Sequence, residues 1–388
     1  MNDFNEIIER RGTGCVKYDK VDKGMIPLWV ADMDFRTPDF IIEAIEKRLG
    51  CPVLGYPFIP KDYFPTISRW VRKLHGWEVN PAHIRYVPGI VKGIALAQCA
   101  LLPRGSKVII QPPVYHPFRI VSQKLGNEVV FNPLLLRSDG SYEMEFESLE
   151  QCMAGGGRML ILSNPQNPSG QCWTAETLRH VASLAKRYGV IVVSDEIHGE
   201  MAHRGFTHTP FASVSPEAAQ CSITFMAPSK TFNIAGVVTS YAIVPSDELR
   251  ERFFSFLEAT ELDYPTIFAI EATLAAYRKG AVWRRQMLRY VEGNIDFVCS
   301  FLEKNIPAIR PLRPQASFLI WLDCRGLGLS QRNLMHLLKV DAGLFLNDGT
   351  MFGPEGNGFV RMNVGCPRSI LAEALTRLQN AVQQKAVG

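Results

Sequence analysis

Residues 158–198 read RMLILSNPQNPSGQCWTAETLRHVASLAKRYGVIVVSDEIH, and this stretch decides the fold class. Arg158–Ser163 and Val190–Ser194 are near-continuous apolar runs of strand length, the pattern of strands buried on both faces. Between them, Ala175–Tyr188 places Leu178, Val181, Ala182, Leu184 and Ala185 on one helical face, with Arg179, Lys186 and Arg187 mostly off it. Thr174 is a good N-cap and Gly189 a good stop. Working outward, Lys107–Gln111, Ser222–Met226 and Thr239–Val244 repeat the strand pattern, and helical patterns alternate with strands from about Pro81 to Pro245. The alternation predicts an α/β fold with a mostly parallel central sheet flanked by helices.

The chain ends read differently. Pro38–Leu49 is expected to be helical, and Asp62–His75 helical with a break at Pro65. From Pro265 the pattern is strongly helical through about Asn305. Strand-like Ser317–Leu322, a helix near Gln331–Lys339, strand-like Gly358–Val364 and a closing helix from Arg368 follow. The expectation is a large α/β domain over 46–280 and a smaller α+β domain made of 1–45 with 281–388.

Composition excludes several function classes. Across 388 residues, 42 Lys+Arg against 38 Asp+Glu leave a balance of only +4, which is no footprint for nucleic acid. Nine scattered cysteines, with no CxxC and no tight Cys/His group, argue against a zinc site and suggest free thiols in a reducing cytoplasm. The N-terminus is charged from the start and has no apolar signal region. The longest uncharged apolar-rich stretch, Ile234–Pro245, is too short to span a bilayer, so no membrane partner is expected.

Open α/β sheets bind ligands beyond the carboxyl ends of their strands. There the sequence puts Tyr115, Asn167, Asp195 with His198, and Ser229 with Lys230. A lysine in apolar surroundings is pushed toward its neutral, nucleophilic form and makes Schiff bases. A buried carboxylate suits a protonated ring nitrogen, an aromatic stacks on a planar ring, and Asn and His hydrogen-bond a phenolic oxygen. A helix starting after Pro88-Gly89 offers free N–H groups to a phosphate. Together these parts describe a pocket for pyridoxal phosphate.

The chain resembles the fold-type-I, aspartate-aminotransferase-like pyridoxal phosphate enzymes, and within them the MalY/PatB branch of cystathionine β-lyases and C–S lyases. The resemblance runs from Arg11-Gly12-Thr13 to the last helix. Branch features are Trp29-Val30-Ala31-Asp32-Met33-Asp34-Phe35, Gly55-Tyr56-Pro57, Asp195-Glu196-Ile197-His198 and Ser229-Lys230-Thr231-Phe232-Asn233-Ile234-Ala235-Gly236. Superfamily features are Asn164-Pro165-Gln166-Asn167-Pro168-Ser169-Gly170 and the arginine of Arg361-Met362-Asn363.

By this resemblance Lys230 is the Schiff-base lysine and proton shuttle, against the plain alternative of a solvated surface lysine. Asp195 pairs with the pyridine nitrogen, although an aspartate at a strand–helix junction is commonly an N-cap. Asn167 and His198 reach the phenolic oxygen. Aminotransferases usually carry tyrosine at the position of His198, and a core histidine is the plain alternative there. Tyr115 stacks on the ring, though a turn tyrosine is more often packing. Gly89, Ile90 and Val91 offer backbone N–H groups to the phosphate and Ser229 its hydroxyl. Ala227 and Val238 stand where relatives carry a hydroxyl and an arginine, so backbone donors and Tyr56 take a larger share. Tyr56 would come from a second subunit, which implies a homodimer with shared sites; a structural turn residue is the alternative. Arg361 pairs with the substrate α-carboxylate, and Ala31 and Asp32 line the substrate side.

The implied activity is β-elimination from cystathionine or related S-substituted cysteines, releasing a thiol, pyruvate and ammonia. An aminotransferase is the alternative, because both reactions share every step up to Cα deprotonation. A regulatory protein without turnover is disfavoured by intact Lys230, Asp195 and Arg361. The arm itself lies at the start of the sequence, so a preceding DNA-binding segment is not expected.

Overall fold

The computed structural model describes residues 2–387. Among them a seven-stranded sheet is built from β1 (Ile84–Val87), β2 (Lys107–Ile110), β3 (Glu128–Phe131), β4 (Gly157–Ser163), β5 (Ile191–Asp195), β6 (Ser222–Met226) and β7 (Ser240–Ile243). Their order is β1-β7-β6-β5-β4-β2-β3, parallel except that β7 runs antiparallel to both of its neighbours. The mostly parallel sheet matches the sequence reading. The two edge strands, β1 and β3, were not anticipated; each is only four residues long and carries a charged residue, Arg85 in β1 and Glu128 in β3, so its apolar pattern is short.

Both faces of the sheet are covered, which is why its strands read as unbroken apolar runs. Leu160, Leu162 and Val192 pack under Leu178, Val181 and Ala182 of the helix Ala175–Tyr188. Ile161, Val193 and Phe225 pack on the other side against Ile94 and Ala97 of α1 (Ile90–Leu101). Each buried side chain of this size contributes about 1.5–3 kcal/mol relative to exposure. The helix Ala175–Tyr188 has the expected ends: Thr174 Oγ1 accepts from Thr177 N at 3.1 Å, and Gly189 is left-handed at φ 64°.

One helical expectation changes, and another is refined. The helix Tyr63–His75 runs without a break at Pro65. Pro65 lies in its first turn, where backbone N–H groups have no intrahelical acceptor, so proline removes nothing. The helical stretch expected from Pro265 to about Asn305 is present as two helices, Ile267–Lys279 and Ala281–Asn305, separated at Gly280. A Cβ at Gly280 would lie 2.2 Å from the Phe232 ring and 2.3 Å from the Ala276 carbonyl oxygen, so only glycine permits this approach.

A second, antiparallel sheet contains β8 (Arg310–Leu312), β9 (Leu319–Asp323), β10 (Asn347–Asp348) and β11 (Phe359–Asn363), in the order β8-β9-β11-β10. The N-terminal arm is laced onto this end of the molecule. Ile26–Pro27 pairs with Leu344–Phe345, Asn363 N donates to Leu28 O at 2.9 Å, and Asp34 N to Gly365 O at 2.7 Å. Residues 28–34 are thereby carried to the carboxyl edge of the large sheet. No helix among the described residues is long and apolar enough to cross a membrane.

Candidate active site

A cavity of about 200 Å³ opens at the carboxyl ends of β4, β5 and β6. Parallel registry sets Ser163 beside Asp195 and Asp195 beside Phe225, so the segments leaving these strands converge. The cavity is lined by Ala31, Gly89, Ile90, Val91, Tyr115, Asn167, Asp195, His198, Ser229 and Lys230 among others. Ten of the sequence-predicted site residues therefore meet in one place, drawn from six separate segments.

Lys230 follows β6, and its Nζ donates to Ala31 O at 2.5 Å. Burial pulls its pKa down to about 8; Arg361 adds to the shift, while Asp32 and Asp195 oppose it. Asp195 ends β5. Burial pushes its carboxyl up to about 7, against the hydrogen bond from Ile197 N (3.1 Å) and the charge of Lys230. That bond is the local turn expected of an aspartate at a strand end, and it occupies only Oδ1. His198 is held neutral: burial first, then Lys230 and Arg361, lower its pKa to about 3. Its Nδ1 is buried without a hydrogen-bond partner, so it is not a core histidine satisfied by a backbone carbonyl through that atom.

The helix α1 begins at the cavity wall. Gly89 precedes it at φ 104°, no side chain caps the helix, and the first-turn N–H groups are free of intrahelical acceptors. Ser229 stands across from them and is buried. Val238, also in the wall, has φ 56°, a strained value for a β-branched residue. The Tyr86 hydroxyl donates to its carbonyl at 3.0 Å and helps to hold it.

Three predicted residues lie outside the cavity lining. Arg361, on β11, is 4% exposed and stands behind Asn167, whose Oδ1 accepts from Nη1 at 2.9 Å. Asp32 turns to Arg10 (2.8 Å) and Lys17 (3.7 Å), and reaches Lys230 through its charge alone. Tyr56 is fully exposed and away from this chain's cavity.

The structure also adds residues that the sequence reading missed. Asn347 Oδ1 accepts from Arg361 Nη2 at 2.7 Å, and Trp29 O accepts from the same nitrogen at 3.1 Å. Asn233 binds Met33 and Phe35 through three hydrogen bonds and so ties the lysine-bearing segment to the arm. An asparagine far away in sequence carries no local signal; only the strand pair Asn347–Arg361 could have revealed the first of these.

The cavity fits pyridoxal phosphate. It offers a partly neutral lysine amine, a carboxylate with one oxygen free of backbone bonds, an orphaned imidazole nitrogen, an aromatic wall at Tyr115 and an uncapped helix start. Among the described residues no cluster of metal-ligating side chains is present.

Comparison with known proteins agrees with this geometry. The family model for class I and II aminotransferases matches residues 23–378. Cystathionine beta-lyase PatB of Bacillus subtilis is 40% identical over 98% of this chain and 99% of its own length. Protein MalY of Escherichia coli is 31% identical over 99% of each chain. The crystal structure of cystalysin from Treponema denticola, which contains pyridoxal 5′-phosphate, superposes with a TM-score of 0.95 at 31% identity, covering 99% of both chains.

Proposed function

The chain belongs to the class I and II aminotransferase family, in its PatB/MalY branch, and from that premise we propose that it is a pyridoxal-phosphate-dependent carbon–sulfur β-lyase. Its substrates are cystathionine or related S-substituted cysteines, and its products are a thiol, pyruvate and ammonia. The carrying observation is the pairing, in one cavity, of a buried lysine amine with Asp195, together with full-length likeness to a cystathionine β-lyase.

When bound, pyridoxal phosphate supplies an electron sink for the pair left at the substrate Cα. The roles of the protein's own residues follow from their surroundings. Lys230, with its pKa near 8, has a substantial neutral fraction at physiological pH, so Nζ would serve as the anchor for the cofactor's aldehyde and as the base that takes the Cα proton. Asp195 would hold the ring nitrogen of the bound cofactor, and a cation there would favour the charged form of its carboxyl. Neutral His198 and the amide of Asn167 would hold the phenolic oxygen, and Tyr115 would stack on the ring. Gly89, Ile90, Val91 and Ser229 would hold the phosphate. Arg361 binds the α-carboxylate, and the wall at Ala31 closes the substrate side. A thiolate leaves readily from Cβ, so no strong general acid is assigned there.

Two further parts of this reading rest on the surface and on the sheets. Val53, Leu54, Tyr56 and Phe58 form a run of large apolar side chains, 59–107% exposed, that suits burial against a second copy, with Tyr56 reaching that copy's phosphate site. The large-sheet strands all fall within the proposed 46–280 domain, and the antiparallel sheet falls within 281–388, next to the 1–45 arm. Nine free cysteines suit a reducing compartment, in keeping with a cytoplasmic enzyme.

The test is a substrate panel assayed for pyruvate and free thiol, with and without an added keto acid. Stoichiometric thiol and pyruvate without a keto acid are expected. Activity that requires an amino acceptor and releases no thiol would make the protein an aminotransferase instead.

A further inference from the structure

Arg361 is a buried cation without a buried anion. Its Nη1 donates to Asn167 Oδ1, and its Nη2 to Asn347 Oδ1 and Trp29 O. All three acceptors are neutral. Nε is buried with no partner, and the guanidinium lies 5.0 Å from the Phe352 ring centroid. Burial is the main influence on its pKa and lowers it to about 10; it stays charged at neutral pH. The fold therefore holds this group by hydrogen bonds and stacking while leaving its charge uncancelled.

Asn347 is the acceptor whose chemistry can be changed cleanly. It lies on β10, directly opposite Arg361 in the strand pair, and is 6% exposed. Its Oδ1 faces the guanidinium, while its Nδ2 meets only the thioether of Met351 at 3.9 Å, a weak acceptor. An aspartate of the same shape would lose almost nothing at the Met351 side. At the other side it would place a full negative charge 2.7 Å from Nη2, where the amide oxygen now stands. Such a charge-assisted contact would occupy the cation with a carboxylate from within the fold.

We propose that Asn347 is the positioning residue for carboxylate recognition: it fixes the Arg361 guanidinium with a neutral oxygen, so that the group's charge is reserved for the substrate α-carboxylate. This rests on the role given to Arg361 in the proposed function. It adds that neutrality at position 347 is a requirement for substrate binding. The same logic explains why an amide rather than an acid also stands at Asn167.

The experiment compares wild-type holoenzyme with Asn347→Asp, Asn347→Ala and Asn347→Ser. With an S-substituted cysteine as substrate, Asn347→Asp is expected to raise KM about 100-fold while kcat moves far less, because an ion pair to the substrate is lost before chemistry begins. Asn347→Ala, which removes the oxygen without adding charge, is expected to raise KM about tenfold, and Asn347→Ser to recover part of that loss. Calorimetry supplies a readout independent of turnover. Binding of 3-(methylthio)propionate, a carboxylate with no amine, is expected to weaken in Asn347→Asp in parallel with KM. Binding of 2-(methylthio)ethylamine, an amine with no carboxylate, is expected to stay within about twofold of wild type.

Equal weakening of both probes would mean general distortion of the site and would overturn the proposal. So would a KM for Asn347→Asp within threefold of wild type. If Asn347→Asp does not fold, an unchanged KM in Asn347→Ala overturns it alone. A wild-type protein that binds the carboxylate probe but releases no thiol would sink the lyase reading and leave the role of Asn347 to be judged by the probes.

Discussion

The amine of Lys230 donates to the main-chain carbonyl of Ala31, 2.5 Å away and 199 residues earlier in the chain. That one bond joins the segment after β6 to the N-terminal arm. The arm is held in turn by Asn363 Nδ2, which donates to Val30 O and Asp32 O at 2.6 Å each, and by Asn233 at Met33 and Phe35. A neutral amine that donates one N–H to a fixed carbonyl has fewer directions open to its lone pair, a form of preorganisation for proton abstraction.

Cofactor loading is expected to report the Lys230 pKa. Apoprotein mixed with pyridoxal phosphate is expected to form its yellow Schiff base at a rate that rises about tenfold per pH unit and levels off near pH 8. A lysine at its ordinary 10.5 would keep accelerating through pH 10. The sign for stability follows from the same shift. The unfolded chain binds more protons at this site between about pH 8 and 10.5, so the contribution of Lys230 to apoprotein stability rises across that window. Stopped-flow absorbance checks the first expectation, and urea melts across pH the second.

Lys230→Ala removes both the covalent anchor and the base. Thiol release is expected to fall by at least about 1,000-fold, and the visible band to vanish even with excess cofactor. A retained band in Lys230→Ala would point to another lysine.

Asp195→Asn is expected to separate function from stability. Burial raises the folded pKa of Asp195 above its ordinary value of 3.8, to about 7; the folded state binds more protons there between those values, so apoprotein stability falls from about pH 4 to 7 and the penalty is complete above pH 7. At pH 8 the amide relieves the penalty, and the apoprotein is expected to melt about 2 °C higher. Loaded enzyme is expected to lose about 100-fold or more in kcat, since the ring nitrogen has no anion to hold its proton. A lower apoprotein melting temperature at pH 8 would contradict the assigned shift.

The arm's charge cluster is expected to respond asymmetrically. Lys17 is fully buried, with Nζ 2.7 Å from Asp34 Oδ2, and Arg10 reaches the other oxygen of Asp34 at 2.6 Å. Asp34→Ala strands a buried ammonium whose remaining anion, Asp32, is 3.7 Å away, and is expected to cost about 3–5 kcal/mol in denaturant unfolding. Lys17→Met leaves Asp34 paired with Arg10 and is expected to cost about 1 kcal/mol or less, because methionine fills the same volume. Equal costs would show that the pairing carries no weight.

Gly280→Ala is expected to destabilise the protein by about 1–3 kcal/mol, since the new methyl has neither room against Phe232 nor room against the Ala276 carbonyl. Phe232 lies two residues after Lys230, so slower cofactor loading is expected to accompany the loss. An unchanged loading rate would confine the effect to the helix junction.

The parts of the fold legible in the sequence are those with a local cause. Residues 158–198 announced a strand, a capped helix and a strand because burial on both sheet faces and on one helix face leaves a periodic record. Pro65 was misjudged because a proline's effect depends on its distance from the helix start, which composition alone does not mark. The split at Gly280 depends on Phe232, nearly fifty residues away, and the edge strands β1 and β3 offered only short apolar stretches next to a charged residue.

The same division holds at the site. The sequence by itself determined which chemistry is available: a lysine, a carboxylate, an imidazole and a helix start behind successive strand ends, because parallel sheets bring those ends together. Tertiary structure alone decided how the groups are tuned. Burial moves Lys230, Asp195 and His198 toward neutrality, and desolvation depends on everything packed around a group rather than on its neighbours in sequence. The neutral cradle of Arg361, built from Trp29, Asn167 and Asn347, likewise exists only where three distant segments meet.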